Sequence, residues 1–282
     1  MASTLSDIEF RLFKTYIREK CGIDIQDDKA YLIETRLSKL LVDSGMESFE
    51  ALYNLIMSNR DPYIAEKVID AITTNETLWF RDKTPWKIME DVILPRHIEE
   101  LRSGKKRKIR IWSAAASTGQ EAYSTAICIR DYLDEHGITD IRPDQFEILA
   151  TDISKTVLEI ARRGRYDAIS IARGLDPKYK EKYFRKEGMV WVLDDAVKNA
   201  VRFEHFNLQN SFLFLGKFDI IFCRYVLIYF ADTLKEELAK KFFDSIEPDG
   251  VMFIGASELH RCLDPYFEMV HYANGTYYVR RR

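Results

Sequence analysis

The sequence contains no G-x-G-x-x-G and no G-K-[ST]. It therefore has no glycine-rich phosphate cradle, and a nicotinamide dehydrogenase reading has no motif to rest on. Its four cysteines, Cys21, Cys128, Cys223 and Cys262, are far apart and form no C-x-x-C pair. That argues against zinc and against a disulfide framework, and makes a reducing cytoplasm the expected compartment. No apolar run approaches the ~18 residues of a membrane span, and the first ten residues lack a leader core. Membrane insertion and a targeting leader are both outside expectation. Charge of one sign is not in excess either. With 42 Lys and Arg against 45 Asp and Glu, the net charge is −3, and nothing global favours nucleic acid.

What is present is a chain of 282 residues, 46% hydrophobic and 31% charged, as expected of one or two soluble globular domains. Residues 1–72 carry helical periodicity only. Ser6-Asp7-Ile8-Glu9 has the pattern of a capping box ahead of Phe10, Leu12, Phe13, Tyr16 and Ile17. A second helix is expected over 30–43, with Ile33, Leu37, Leu40 and Leu41 on its buried stripe and Gly45 ending it. Two more helices, over 48–58 and 62–72, complete a small bundle. Lys29, Arg36 and Lys39 fall on one flank of the second helix. They form either a solvated face or a basic ridge that docks an acidic partner.

Residues 73–85 break the pattern: a polar connector that includes Trp79 and Phe80, two large aromatics that a plain linker has no use for. From Trp86 onward helices and strands alternate. A helix over 86–101 leads to a strand at 109–112 and then to the small-residue stretch Ala114–Gly119, where Ser117 or Thr118 is positioned to cap the following helix at 121–136. Such a strand-to-helix turn is where open α/β sheets bind nucleosides. A second strand at 145–150 runs into Thr151-Asp152. The Asp152 carboxylate either accepts both hydroxyls of a ribose or caps the helix at 155–163. An interruption at 167–199 contains a helix at 178–184 and a hairpin-like 189–193. Strands at 201–206, 218–223 and 251–255 and a helix at 234–246 follow. The chain closes on a hairpin whose Asn274-Gly275 suits a type I′ turn. The fold expected is α/β: a small N-terminal all-α bundle, then a Rossmann-like, mostly parallel sheet with an antiparallel edge.

Four stretches together resemble one family. They are Thr73-Thr-Asn-Glu-Thr-Leu-Trp-Phe-Arg81, Ile111-Trp-Ser-Ala-Ala-Ala-Ser-Thr-Gly-Gln-Glu-Ala-Tyr-Ser124, Ala150-Thr-Asp-Ile-Ser154 and Phe218-Asp-Ile-Ile-Phe-Cys-Arg-Tyr-Val-Leu-Ile-Tyr-Phe230. In this order they are similar to the bacterial chemotaxis receptor methyltransferases, the CheR family. The resemblance implies S-adenosylmethionine as methyl donor, S-adenosylhomocysteine as product and no metal. The acceptors it implies are glutamate side chains of methyl-accepting chemoreceptors. It divides the chain into a receptor-recognition bundle at 1–72, a connector at 73–85 that contributes to the active site, and a methyltransferase domain at 86–282. The interruption at 167–199 would be the family's antiparallel β-subdomain.

Carried over position by position, the resemblance places Asn75, Thr77 and Arg81 at the donor's methionine end and the transfer centre. Glu121 would meet the donor's amino-acid part and Asp152 its ribose, with Asn207 and Leu208 near the adenine and Arg224 and Tyr225 forming another wall. Arg81 and Tyr229 would face the reacting carboxylate, and Lys29, Arg36 and Lys39 would help recognise the receptor's helical bundle. A sulfonium is a strong electrophile and a glutamate is ionised at neutral pH, so no general base is required. Alignment in a dry pocket remains, with Arg81 assigned orientation first.

Three departures stand out. Tyr225 occupies the position where the family has Asn, and its phenol is placed to stack on adenine or to occlude it. Ala122 replaces the usual Pro, a mild change at a helix start. The stretch 182–192 is shorter than the glycine-containing loop of members that grip a receptor's C-terminal pentapeptide, so that tether is not expected to bind. Tyr225 also motivates the main rival reading, a catalytically silent adapter that binds receptor or donor without turnover.

Overall fold

The computed structural model describes residues 4–282; the first three positions, which belong to the leader and bundle readings, lie outside the described residues. Four helices form the bundle: α1 (Asp7–Cys21), α2 (Ala30–Asp43), α3 (Phe49–Met57) and α4 (Pro62–Ile72). Ser6 and Glu9 make the capping box, with Ser6 N–H donating to Glu9 Oε2 at 2.8 Å and Glu9 N–H to Ser6 Oγ at 3.3 Å. The apolar stripes then bury Phe13, Ile17, Ile33, Leu37, Phe49 and Val68 in one core. Two stripe expectations are corrected. Leu12 is 38% exposed, and Leu40 is only partly buried beside a buried Leu41. Lys29 does not lie on α2 but in the tight turn Asp27–Lys29 before it, so it shares no helical face with Arg36 and Lys39.

The connector does pack. Trp79 is fully buried, edge-on to Tyr166 (5.0 Å) and Phe184 (5.2 Å), and its backbone N–H donates to Arg173 O at 3.0 Å. Phe80 stacks on Tyr179 at 4.7 Å. The two aromatics therefore dock the connector on the interruption at 167–199. The helix that follows runs from Thr84 to Arg102 but opens into a wide turn at Met89–Ile93. Pro95 explains this, because it has no N–H for the carbonyl one turn back and its ring displaces that carbonyl.

Ten strands follow in order: β1 (Ile109–Ala114), β2 (Phe146–Asp152), β3 (Arg165–Asp167), β4 (Phe184–Glu187), β5 (Val190–Leu193), β6 (Val201–His205), β7 (Phe218–Phe222), β8 (Ile246–Phe253), β9 (Phe267–Tyr272) and β10 (Gly275–Arg280). The main sheet has the order β6-β2-β1-β7-β8-β10-β9, parallel from β6 to β8, with β10 antiparallel to both its neighbours. Strand residues alternate between two cores. Ile111, Ile148, Ile220 and Val251 face one side, and Trp112, Leu149, Ile221 and Met252 face the other. Helices 84–102 and 120–135 cover the first side, and helix 232–245 covers the second. Strands β3, β5 and β4 form a separate antiparallel sheet inside the interruption.

Two local expectations change. Strand β8 starts at Ile246, so Pro248-Asp249-Gly250 is a bulge inside it, where the register slips between Phe218 and Ile220. In the last hairpin Gly275 pairs with Tyr272, which makes Ala273-Asn274 the two-residue loop, and only Ala273 has positive φ (49°). That is not a type I′ turn, which needs positive φ at both central residues. Gly275 is required instead by contact, since a Cβ there would lie 2.8 Å from Thr84 Cβ.

Candidate active site

Strand β1 is where the connections change direction, toward β2 on one side and β7 on the other. Ligands of open α/β sheets sit outside the carboxyl ends of the strands at such a point. There the backbone leaves β1 through left-handed residues at Ala115 (φ 61°), Ser117 (51°) and Gly119 (93°). Helix 120–135 begins at Gly119 with no side-chain cap, which corrects the capping expected of Ser117 or Thr118. Ser117 Oγ donates to Asn75 O (2.8 Å), tying the connector to the turn, and Thr118 Oγ1 donates to Gln120 Oε1 (2.7 Å).

Asp152 closes β2. Its Oδ2 accepts from Ser117 N–H (2.8 Å) and its Oδ1 from Ser154 N–H (2.9 Å). The helix at 155–163 is capped by Ser154 instead, whose Oγ accepts from Val157 N–H. Burial pushes the Asp152 carboxyl above the ordinary carboxylate value, and the N–H groups of Ser154, Ser117 and Ile153 offset only part of that.

A second set of polar groups crosses the cavity floor. Ser113 Oγ donates to Glu121 Oε1 (2.7 Å), and Arg224 donates to Glu121 Oε2 (3.0 Å). The other terminal nitrogen of Arg224 donates to both Asp82 Oδ2 and Arg81 O, each at 2.7 Å. Arg224 Nε is buried without a partner among the described residues. Asp82 also accepts from the Tyr225 hydroxyl (2.7 Å) and from Ala256 N–H (3.3 Å). Burial acts to raise the Asp82 carboxyl, but the Tyr225 hydrogen bond and the Arg224 charge outweigh it and hold it below the usual carboxylate range.

Tyr225 itself adopts φ 60°, a left-handed conformation that costs a bulky L-residue roughly 1–2 kcal/mol. Its N–H and that of Gly255 both donate to Glu258 Oε2 at 2.6 Å. One face of the phenol ring is covered by the Arg81 guanidinium, 3.6 Å from the ring centre. Tyr229 sits in the single turn Leu227–Tyr229, and its carbonyl accepts from Asp24 N–H (2.9 Å). The Asn207 side chain is engaged at both ends, donating to Lys20 O (2.8 Å) and accepting from Gln209 N–H (2.9 Å). It thereby satisfies a terminal carbonyl of α1.

Asn75, Thr77, Arg81, Glu121, Asp152, Asn207, Leu208, Arg224, Tyr225 and Tyr229 all border one cavity, with about 950 Å³ of non-protein space that opens to solvent. Lys29, Arg36 and Lys39 do not border it. Lys29 and Lys39 are exposed, whereas Arg36 donates to Ile72 O and to Thr74 Oγ1 (2.9 Å). Arg36 is thus a strut for the connector. Asp82, Ser113 and Glu258 are central to the network and were not singled out by the sequence. Only the adjacency of Asp82 to Arg81 hinted at it.

Residues 75–275 match the family model described as CheR methyltransferase, SAM binding domain, and residues 8–73 match CheR methyltransferase, all-alpha domain. The chain belongs to the CheR methyltransferase family. It is 37% identical over 273 residues to the chemotaxis protein methyltransferase Cher2 of Pseudomonas putida, an alignment spanning 96% of this chain and 98% of that one. Chemotaxis protein methyltransferase 1 of Vibrio cholerae is 39% identical over 281 residues, 98% of each chain. The chemotaxis protein methyltransferase of Salmonella typhimurium is 35% identical over 260 residues, 90% of this chain and 84% of that one. This CheR-family chain is therefore an S-adenosylmethionine-dependent methyltransferase, and the resemblance read from the four motifs holds. No helix among the described residues is long and apolar enough to cross a membrane.

Proposed function

We propose that the chain methylates glutamate side chains of methyl-accepting chemoreceptors in chemotaxis adaptation, giving glutamyl methyl esters and S-adenosylhomocysteine, in the cytoplasm and without a metal. The observation that carries this reading is the Asp152 carboxylate. Each of its oxygens accepts one backbone N–H, which leaves a lone-pair position on each for the two hydroxyls of a ribose. The rest of the cavity suits the same donor. Glu121 and Arg224 hold the amino-acid end, the buried Arg224 Nε lacking a partner among the described residues. Asn75 and Thr77 border the methionine end, with Asn207 and Leu208 toward the adenine and Arg224 and Tyr225 forming another wall. When bound, the donor supplies a sulfonium-activated methyl group.

The residues at the mouth receive the acceptor. Arg81 makes one hydrogen bond through its guanidinium among the described residues, to Glu76 O at 3.3 Å, so further N–H groups are free for a carboxylate. Tyr229 faces the same opening, and its hydroxyl assists in holding the acceptor oxygen. A glutamate arrives ionised, so these groups orient it and exclude water without abstracting a proton. The bundle, through Lys29 and Lys39, faces the acidic helices of the receptor, and Arg36 supports that surface from beneath. The β4–β5 turn is only Gly188-Met189, and we take this short hairpin as a site that does not grip a C-terminal pentapeptide. Nucleic acid and the bilayer are not partners.

The test is transfer of labelled methyl groups to receptor-bearing membranes. Label released as methanol by mild base supports ester formation. Donor binding with no receptor labelling supports the silent adapter instead.

A further inference from the structure

Arg81 sits in a turn of the connector that belongs to no helix or strand. Its neighbours Phe80, Asp82 and Lys83 all have left-handed φ, at 46°, 70° and 58°. What holds Arg81 is the dipeptide Arg224-Tyr225. Arg224 donates to the Arg81 carbonyl, and the Tyr225 ring lies 3.6 Å from the Arg81 guanidinium carbon. Arg224 and the Tyr225 hydroxyl then converge on Asp82 Oδ2, each at 2.7 Å. Backbone, side chain and following residue are all clamped by two consecutive positions. Room for the ring is left by Gly255, where a Cβ would lie 2.6 Å from Tyr225 Cε1.

We propose that Tyr225 is a positioning residue for Arg81, a role that rests on the methyl-transfer reading above: its ring carries the guanidinium and its hydroxyl, through Asp82, fixes the connector. The choice of an aromatic face has a chemical reason. A carboxylate partner would occupy the N–H groups that must hold the acceptor glutamate. A π-face holds the cation by its flat side and leaves the N–H edge free. An Asn at this position, as in the family pattern, suits the left-handed backbone better but offers Arg81 no ring. This chain carries a strained tyrosine here, and the contacts of its ring and hydroxyl with the connector offset that strain.

The experiment compares Tyr225→Phe, Tyr225→Leu and Tyr225→Asn, each alone and with Arg81→Ala. Receptor methylation at saturating donor, donor affinity by calorimetry and amide exchange over residues 77–83 are measured. Tyr225→Phe keeps the ring and loses a few-fold in kcat, whereas Tyr225→Leu and Tyr225→Asn lose about tenfold. Donor Kd changes less than about twofold for all three. In the Arg81→Ala background the Tyr225 changes have no further effect on kcat, and exchange over the connector speeds in the Leu and Asn variants. Tyr225→Asn guards against misfolding, because its backbone is relaxed rather than strained.

Three outcomes overturn the proposal: Leu and Asn variants within twofold of the parent in kcat, losses that multiply with Arg81→Ala, or weakened donor binding with kcat intact. The last would assign the ring to the donor site. A parent protein that labels no receptor would instead sink the methyl-transfer reading. The exchange measurement then decides alone whether Tyr225 holds the connector.

Discussion

Arg224 and Asp82 form the tie that fastens the connector to the sheet, at 2.7 Å, with the Arg224 side chain almost wholly shielded from solvent. Asp82 retains partial solvent contact, so the pair is only half removed from water, and Arg224 keeps a second carboxylate in Glu121. Replacing Asp82 by Asn keeps the shape and removes the charge. We expect a loss of about 2 kcal/mol in urea unfolding. Receptor methylation should fall further than donor affinity, because Arg81 loses its anchored neighbour. Equal losses in both would show that Asp82 serves the donor site rather than the connector.

Asp152 predicts the pH dependence of donor binding. Only the ionised carboxylate can accept two ribose hydroxyls, and burial raises its folded-state value above the ordinary one. Affinity for S-adenosylhomocysteine should therefore weaken on acidification before an exposed aspartate, with its ordinary value of about 3.9, would begin to titrate. Calorimetry from pH 8 downward checks this. Asp152→Asn should bind weakly at every pH and show a flat profile.

The bundle surface gives a prediction that separates recognition from support. Lys29→Glu with Lys39→Glu should raise the receptor KM several-fold and leave donor Kd unchanged, with a salt-dependent effect as expected for exposed charges. Arg36→Ala should act differently, because it removes donors to Ile72 O and Thr74. It should speed amide exchange over 73–77 and lower kcat. Identical behaviour of the three residues would restore the single basic ridge read from the sequence.

Much of this molecule was legible in its residues because pattern and packing agree. The capping box fixed the start of α1, the strand read at 109–112 lies within β1, and four motifs in order brought ten residues to one cavity. What escaped lies in long-range contacts without periodicity. Asp82 matters only because residues far along the chain converge on it, and Arg36 became a strut because the connector passes beside α2. Turn chemistry misled where a glycine answered to tertiary contact, as at Gly275, rather than to local φ. The contact of Tyr225 with Arg81 was not legible, because the cation above the ring is visible only in three dimensions.

Away from the site, His97 predicts acid sensitivity. It is buried with Nδ1 2.8 Å from Glu100 Oε2, and burial, then the Arg96 charge, lowers it to about 4. The unfolded chain, with an ordinary histidine near 6.5, binds a proton that the folded chain refuses between those values. Stability is therefore fully present above pH 6.5 and falls progressively as pH drops below it. Urea unfolding at pH 7.5 and pH 5 should show the onset of the loss, and His97→Gln should reduce it.

The proposed function requires one cavity to hold the donor with its ribose on Asp152 and its reactive end toward Arg81. A crystal structure of the complex with S-adenosylhomocysteine tests it most directly. Both ribose hydroxyls are expected within hydrogen-bond distance of the Asp152 carboxylate, and the sulfur on the side of the cavity where Arg81 rests on Tyr225. Density for the molecule outside this cavity, or with its ribose away from Asp152, would contradict it.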